Sequence, residues 1–335
     1  MVHAPVWNAP GAYVPTIYSN MLSSSFSGMV SYLPSGINQV DQLVALKDFA
    51  FNGGSGIVDG KLCGLYADLR FASYGMVTIA YYAIDMDTWQ IVEQQMLSNK
   101  ALVATETATD PVSGEIFGQF YTADLKGLEF GVIDYASKTR TTIAKCNRNY
   151  VALGIGKDGF AYGIDGDANL YKIDRANGNE QLVGPTGLSL RNSQGSVYFQ
   201  SGEVDPKSGV FYWATTDKDG NSALFTVDLK TGKATKVVDF EHKSNQVSLV
   251  IPMPKEADEA PGRIQNLTAQ FADASLNGVV KFSAPTHTFD GEHALTGKLA
   301  YRLWVNDVEK AKGEVEAGKD VAVDVAVGEG LNQFV

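Results

Sequence analysis

Four stretches of this chain follow one pattern. "VDGKLCGLYADL" runs on to "YGMVTIAYYAIDMDTWQIVEQ", and "DPVSGEIFGQFYTADLKG" runs on to "LEFGVIDYASKTRTTIAK". "KDGFAYGIDGDA" leads to "NLYKIDRANGNEQLVG", and "DPKSGVFYWATTDKDG" leads to "SALFTVDLKTGKATKVVDF". Each has a turn, an apolar strand, a polar hairpin, a second strand ending in Ile/Val-Asp, another turn and a third strand. The Asp of that pair falls at Asp85, Asp134, Asp174 and Asp228, with gaps of 49, 40 and 54 residues. A sheet of this size has two faces and cannot bury both alone, so the repeats must stack on one another.

The details have local causes. In D-P-x-S-G, Pro presets φ at the second turn position and Gly takes a positive φ later. In Ile/Val-Asp, the apolar residue is expected to point between stacked sheets. The Asp then opens the next turn, its carboxylate accepting an N–H two residues on. "DRANG" and "DLKTG" place Gly four residues after that Asp, where a left-handed residue closes the turn. A repeat of about forty to fifty residues built from four strands is the period of a β-propeller blade. The reading is all-β. Four blades lie at roughly 52–98, 100–146, 149–185 and 194–240, and "KALVATET", "YVALGI" and "GSVYFQSG" are the innermost strands of the last three. "PTIYSN" and "GMVSYLP…VDQLVALKDF" precede these repeats and "NQVSLVIPMP" follows them. Together they predict a further blade closed by strands from both ends, giving five blades over residues 1–254, with six as the alternative.

After the Pro- and charge-rich "PKEADEAPG" the texture changes. "LTAQF", "VKFSA", "LAYRLWV" and "VAVDVAV" alternate apolar and polar residues at period two, as half-buried strands do. One face carries Leu299, Tyr301, Leu303 and Val305, and a later strand carries Val321, Val323, Val325 and Val327. This predicts a small antiparallel sandwich over 255–335.

Here the stretch "PGRIQNLTAQF…NGVVKFSAPTHTFDGEHALTGKLAYRLWVND" resembles the fibronectin type III-like modules of surface and secreted proteins from Gram-negative anaerobic bacteria. It has the Asn-Leu strand, the strand ending Ala-Pro-Thr, the Asp-Gly…Leu-Thr-Gly connection and the Tyr-rich strand ending Val-Asn. The repeats before it resemble, more loosely, the propeller-like region that precedes such modules. The resemblance implies an exported, surface-held protein with binding or adhesion duties. A full immunoglobulin-like sandwich needs about seven strands and ~100 residues, so the module is expected to be incomplete, with "LNQFV" as the start of its sixth strand.

Composition narrows the partners. A net charge of −11 argues against nucleic acid, whose phosphates need Lys and Arg. No apolar run reaches the ~20 residues that span a bilayer. No charged segment followed by an apolar one opens the chain, and "MVHAPVWNAP" reads as a start Met on a trimmed N-terminus. The expected location is extracellular or on the outer cell surface, with a lipid anchor upstream as one means of attachment. Cys63 and Cys146 make neither a metal set nor a disulfide framework, and read as buried small hydrophobes.

Motifs for catalysis are missing. "GGSGI" lacks the last Gly of a nucleophile elbow, and no H-E-x-x-H, C-x-x-C or phosphate-binding loop occurs. "GIDGDANLYKID" and "TTDKDGNSALFTVD" open like calcium loops. Counting from Asp165, however, positions six and twelve hold Leu170 and Ala176, and from Asp217 they hold Ser222 and Asp228, where a calcium loop needs Gly and Glu. Both read as hairpins. His287, Asp290, Glu292 and His293 could bind zinc, but the Asp-Gly between them belongs to a turn, and a solvated loop is the expectation. No cofactor and no metal is expected.

The alternation of a four-stranded blade puts second-to-third hairpins and blade-to-blade joins on one face. That face is expected to present Tyr66, Arg70, Lys126, Arg148, Asp165, Asp167, Arg191, Asn192, Asp217 and Asp219 as ligand-binding candidates, a set of polar groups with an aromatic that suits a sugar or peptide. Trp89 and Trp213 are expected to pack between blades. The leading reading is a non-enzymatic binding or adhesion protein that recognises a glycan or a protein. The alternatives are a polysaccharide lyase or glycoside hydrolase using carboxylates at the channel mouth, and a docking module of a surface complex.

Overall fold

The computed structural model describes residues 13–34, 40–46, 52, 54–74, 76–240, 244–253, 261–289, 294–306, 308–330, 332 and 334. Among them there is no α-helix, only strands and two short 3-10 turns. The chain divides into two compact units, Met1–Pro254 and Lys255–Val335.

The first unit is a propeller-like array of four-stranded antiparallel sheets, five among the described residues. The first sheet holds β1 (Ile17–Leu22), β2 (Ser27–Tyr32) and β3 (Asp41–Ala45). The second holds β4 (Ser55–Val58), β5 (Lys61–Asp68), β6 (Thr78–Asp85) and β7 (Ile91–Leu97). The third holds β8 (Ala104–Thr109), β9 (Ile116–Tyr121), β10 (Leu128–Asp134) and β11 (Thr139–Cys146). The fourth holds β12 (Tyr150–Ile155), β13 (Ala161–Asp165), β14 (Asn169–Ile173) and β15 (Glu180–Pro185). The fifth holds β16 (Ser201–Val204), β17 (Phe211–Thr216), β18 (Ser222–Val227) and β19 (Ala234–Asp239). β20 (Asn245–Val250) then returns to pair antiparallel with β1, Leu22 opposite Asn245 and Met21 opposite Gln246. The leftover segments at the two ends therefore form one sheet, as their sequence implied.

Apolar clusters fill the seams between successive sheets. Cys63, Tyr81, Phe120 and Tyr135 pack between the second and third sheets, and Phe117, Phe130, Tyr150 and Tyr171 between the third and fourth. Trp213, Phe211 and Leu170 lie between the fourth and fifth. Ile17, Tyr32, Tyr212 and Phe240 join the fifth to the first, and Met29, Leu62, Tyr82 and Val250 join the first to the second. The seams thus close on themselves. Each fully buried large side chain contributes roughly 1.5–3 kcal/mol. Ile84, Ile133, Ile173 and Val227, the apolar partners of the repeated Asp residues, are 0%, 3%, 1% and 4% exposed, which places them in the seams as expected.

The repeated Asp residues open turns in the way the pattern implied. Asp85, Asp134, Asp174 and Asp228 each accept the N–H two residues on, at 3.1, 2.8, 2.9 and 2.7 Å. Four residues after each, the backbone is left-handed: Trp89 at φ 56°, Lys138 at 55°, Gly178 at 73° and Gly232 at 81°. Trp213 is wholly buried and Trp89 is half-buried, its ring 5.1 Å from that of Tyr18. Cys63 is buried and Cys146 only half-buried. One inner strand departs from expectation. "GSVYFQSG" is not a strand through 195–200; β16 begins at Ser201, and Tyr198 and Phe199 are exposed.

The second unit packs β21 (Gln265–Phe271), β22 (Asn277–Ser283) and β25 (Asp320–Ala326) as one sheet, and β23 (Lys298–Val305) with β24 (Val308–Glu316) as another. Val280, Phe282, Leu303, Val321, Val323 and Val325 form its core. Phe282 and Tyr301 meet edge to face at 5.5 Å. Phe334 bridges to Val305. Asp290, Glu292 and His293 lie outside the described residues.

Candidate functional site

The inner strands β4, β8, β12 and β16 run the same way, which fixes what emerges at each end of the array. Thr107 of β8 donates from Oγ1 to the Ser55 carbonyl of β4 at 2.9 Å. A Cβ on Gly202 of β16 would sit 3.0 Å from the Ala152 Cβ of β12, and one on Gly154 would sit 2.9 Å from the Val204 nitrogen. Only glycine allows so close an approach of two backbones. With parallel inner strands, second-to-third hairpins and sheet-to-sheet joins share a face. Contacts confirm it: Gly166 donates its N–H to Asn149 O at 3.3 Å, and Lys218 to Ser189 O at 3.1 Å.

Most candidate residues on this face already have structural partners. Arg148 donates from Nε to Glu180 at 2.7 Å, lies 3.9 Å from the Asp165 carboxylate and covers the Tyr171 ring. Asp165 is 6% exposed, and its Oδ1 accepts the N–H of Asp167 and Asn169. Asp217 likewise accepts the N–H of Asp219 and Asn221, both at 2.9 Å. Burial pushes the Asp217 carboxyl up, but these N–H groups and the Asn221 amide outweigh it and hold the pKa below the usual range. The two calcium-like openings are thus hairpins capped by their own first Asp. Arg70 pairs with Asp68, and Asp219 with Lys218. Asn192 Oδ1 caps its own loop through the N–H of Gln194 and Ser196. Arg191 and Asp167 form an exposed pair at 2.6 Å that ties the 186–200 join to the hairpin beside it. Tyr66 is half-buried and the Lys126 side chain is exposed.

The more telling residues on this face are aromatic. In the first unit the exposed Phe and Tyr side chains among the described residues are Phe71 and Tyr74, in the β5–β6 connection, and Tyr198 and Phe199, in the β15–β16 join. All four lie on connections of the same face. The sequence reading names Tyr66 and Arg70 from the first connection and Arg191 and Asn192 from the second, but none of these four aromatics. The missed signal was an aromatic pair inside a Gly/Ser/Asn-rich stretch, "NSQGSVYFQSG".

A cleft of about 500 Å³ opens beside the 217–221 hairpin. Leu188, Phe225 and Phe240 give it apolar walls, while Thr215, Asp217, Asn221, Lys236 and Asp239 supply polar groups. Lys236 and Asp239 pair at 2.9 Å on its rim. The cleft is open to solvent and brings donors and acceptors together with apolar walls.

Two carboxyls sit elsewhere, on the inner strands. Glu106 of β8 is 1% exposed and Glu203 of β16 is 4% exposed. Burial pushes the Glu106 pKa up to about 8, against the Thr107 N–H that its carboxyl accepts at 3.0 Å. Burial pushes Glu203 well up too, and the neighbouring Glu106 adds to it. Neither lines the cleft.

No protein-family model matches the chain, and no curated protein matches it. Among solved structures it is similar to TolB from Acinetobacter baumannii at 14% identity, covering 84% of this chain and 64% of that one, with a TM-score of 0.39. It is similar to an auxiliary nutrient binding protein from Bacteroides ovatus at 12% identity, over 81% and 62% of the two chains, TM-score 0.36. It is similar to an exo-beta-1,3-galactanase from Phanerochaete chrysosporium at 10% identity, over 91% and 84%, TM-score 0.40. The chain spans under two thirds of the first two. Likenesses at these scores carry no argument about activity.

Proposed function

We propose that the first unit is a five-bladed propeller whose loop face recognises a glycan or a protein, in an exported, surface-held protein. The second unit, read as a fibronectin type III-like sandwich, serves as the spacer. The carrying observation is that Phe71, Tyr74, Tyr198 and Phe199 are exposed on connections of one face, with Tyr198 beside the 217–221 hairpin that borders a cleft of mixed polar and apolar walls. Aromatic faces stack on the apolar side of a sugar or peptide while nearby polar groups fix its orientation. The surface location rests on the sequence resemblance; no helix among the described residues is long and apolar enough to cross a membrane, which does not bear on β-barrels.

The lyase or hydrolase alternative lacks comparable support. Its acids would be the carboxylates at the channel mouth, where Asp217 takes the N–H groups and side-chain amide of its own hairpin and Asp239, across the cleft, is paired with Lys236. A glycan array, followed by calorimetry on the strongest hit, tests the reading. Y198A and F199A should each weaken binding about tenfold, about 1.4 kcal/mol, without changing the melting temperature. Retained binding in the double variant, or turnover of the hit, would sink it.

A further inference from the structure

Gln200 is buried and ties three parts of the loop face together. Its Oε1 accepts the Trp213 indole N–H and the Thr215 hydroxyl, each at 2.9 Å. Its Nε2 donates to the Tyr198 carbonyl at 3.2 Å. Thr215 lines the cleft, and Trp213 is wholly buried in the seam between the fourth and fifth sheets. One buried amide therefore fixes the backbone of an exposed aromatic to a cleft wall and to a core anchor.

The rest of the 186–200 join is held to the same cleft. Leu188, near its start, is one of the walls. Ser189 O accepts the Lys218 N–H at 3.1 Å. A Cβ on Gly220 would lie 3.7 Å from the Tyr198 hydroxyl oxygen. The phenol end of that ring therefore stands against the hairpin whose Asp217 and Asn221 line the cleft.

The lining also selects by charge. Its ionisable groups are Asp217, Asp239 and Lys236, and Lys236 already gives its ammonium to the two Asp239 oxygens, at 2.9 and 3.1 Å. No arginine is among its described lining residues. Recognition of a carboxylate, sulfate or phosphate calls for cations, best the planar fork of arginine. Asp239, Asn221 and the Thr215 hydroxyl suit neutral hydroxyl groups instead. Leu188 and Phe225 offer apolar surface to a sugar ring, and about 500 Å³ is an ordinary size for a small-ligand site.

We propose that the cleft and Tyr198 form one subsite for a neutral oligosaccharide, and that Gln200 is the positioning residue that keeps the two in register. This rests on the recognition reading above, and adds to it the charge class of the sugar and a residue that acts only through Tyr198. Hydroxyls of one sugar unit meet Asp239 and Asn221, and the adjoining unit stacks on Tyr198.

The test is an array of neutral oligosaccharides beside uronate- and sulfate-bearing forms of the same backbones, followed by calorimetry of the full chain with the strongest neutral hit. The strongest signals should be neutral. Strongest signals from the acidic forms, or binding of a protein and of no glycan, would overturn this inference and leave the broader recognition reading standing. Q200E keeps oxygens toward Trp213 and Thr215 but loses the N–H to Tyr198. It should lower affinity about fivefold in the wild type and less than about twofold in Y198A. Equal losses in the two backgrounds would give Gln200 a structural role only and overturn its positioning role. Because Q200E could fail to fold, D239N, at an exposed side chain, supplies a second reading. It should lower affinity for the same sugar about fivefold. Unchanged affinity in D239N where Y198A weakens binding would overturn the shared subsite without touching the broader reading.

Discussion

Arg175 donates from Nη1 to the Asp110 carboxylate at 2.7 Å, tying the last turn of the fourth sheet to the first turn of the third. The guanidinium also lies over the Phe117 ring. Burial pushes the Asp110 carboxyl up, but the Ser113 hydroxyl, Arg175 and the Val112 N–H outweigh it and leave the pKa lowered. R175A should cost about 2–3 kcal/mol by leaving a buried charge short of a partner. A carboxyl held low stabilises the fold above its unfolded pKa and loses that contribution as pH falls. Acidification below about pH 4 should therefore destabilise the wild type more steeply than R175A. Urea titrations across that interval check both statements.

The four left-handed turn positions make a second prediction. A Cβ on Gly232, at φ 81°, would come within 2.5 Å of the Gly184 carbonyl oxygen of the neighbouring sheet. G232A should therefore cost about 2 kcal/mol or more, from strain and clash together. Ala274, in the second unit, holds φ 58° in an exposed turn with nothing gained from its methyl. A274G should stabilise that unit by about 0.5–1 kcal/mol. Thermal unfolding of the two variants should shift in opposite directions.

Asp217 provides a test of what the calcium-like stretches do. Its carboxylate takes two backbone N–H groups and the Asn221 amide. D217A should cost about 1–2 kcal/mol, as loss of a cap does. Calcium should leave the wild-type melting temperature unchanged. A calcium-dependent rise that D217A removes would show that a metal, not the turn, uses this carboxylate.

The architecture was legible wherever local chemistry repeats. Ile133-Asp134 and Val227-Asp228 announce both a seam residue and a turn opener, because one burial and one hydrogen bond recur in each sheet. The closing sheet was legible because segments at both ends had strand texture and no other partner. The β15–β16 join was not. Tyr198 and Phe199 read as strand residues from their aromatic character, yet their exposure depends on how far the join projects, which is a tertiary property. Glu106 and Glu203 were passed over among 38 acidic residues. The available signal was a Glu inside each of two small-residue inner strands, "ATETAT" and "SGEV", with no Lys, Arg or His beside it.

The central claim is that sheets from the whole of the first unit close into one ring through β20 and β1. A cysteine pair at Leu22 and Asn245, opposite each other across that closure, tests it most directly. In L22C/N245C with Cys63 and Cys146 replaced by Ala, mild oxidation should yield an intramolecular disulfide and raise the urea midpoint, because cross-strand neighbours lie within bridging reach and the loop closed is long. Two thiols that stay free in the folded protein would mean that the ends do not meet and that the ring, with its recognition face, is not formed.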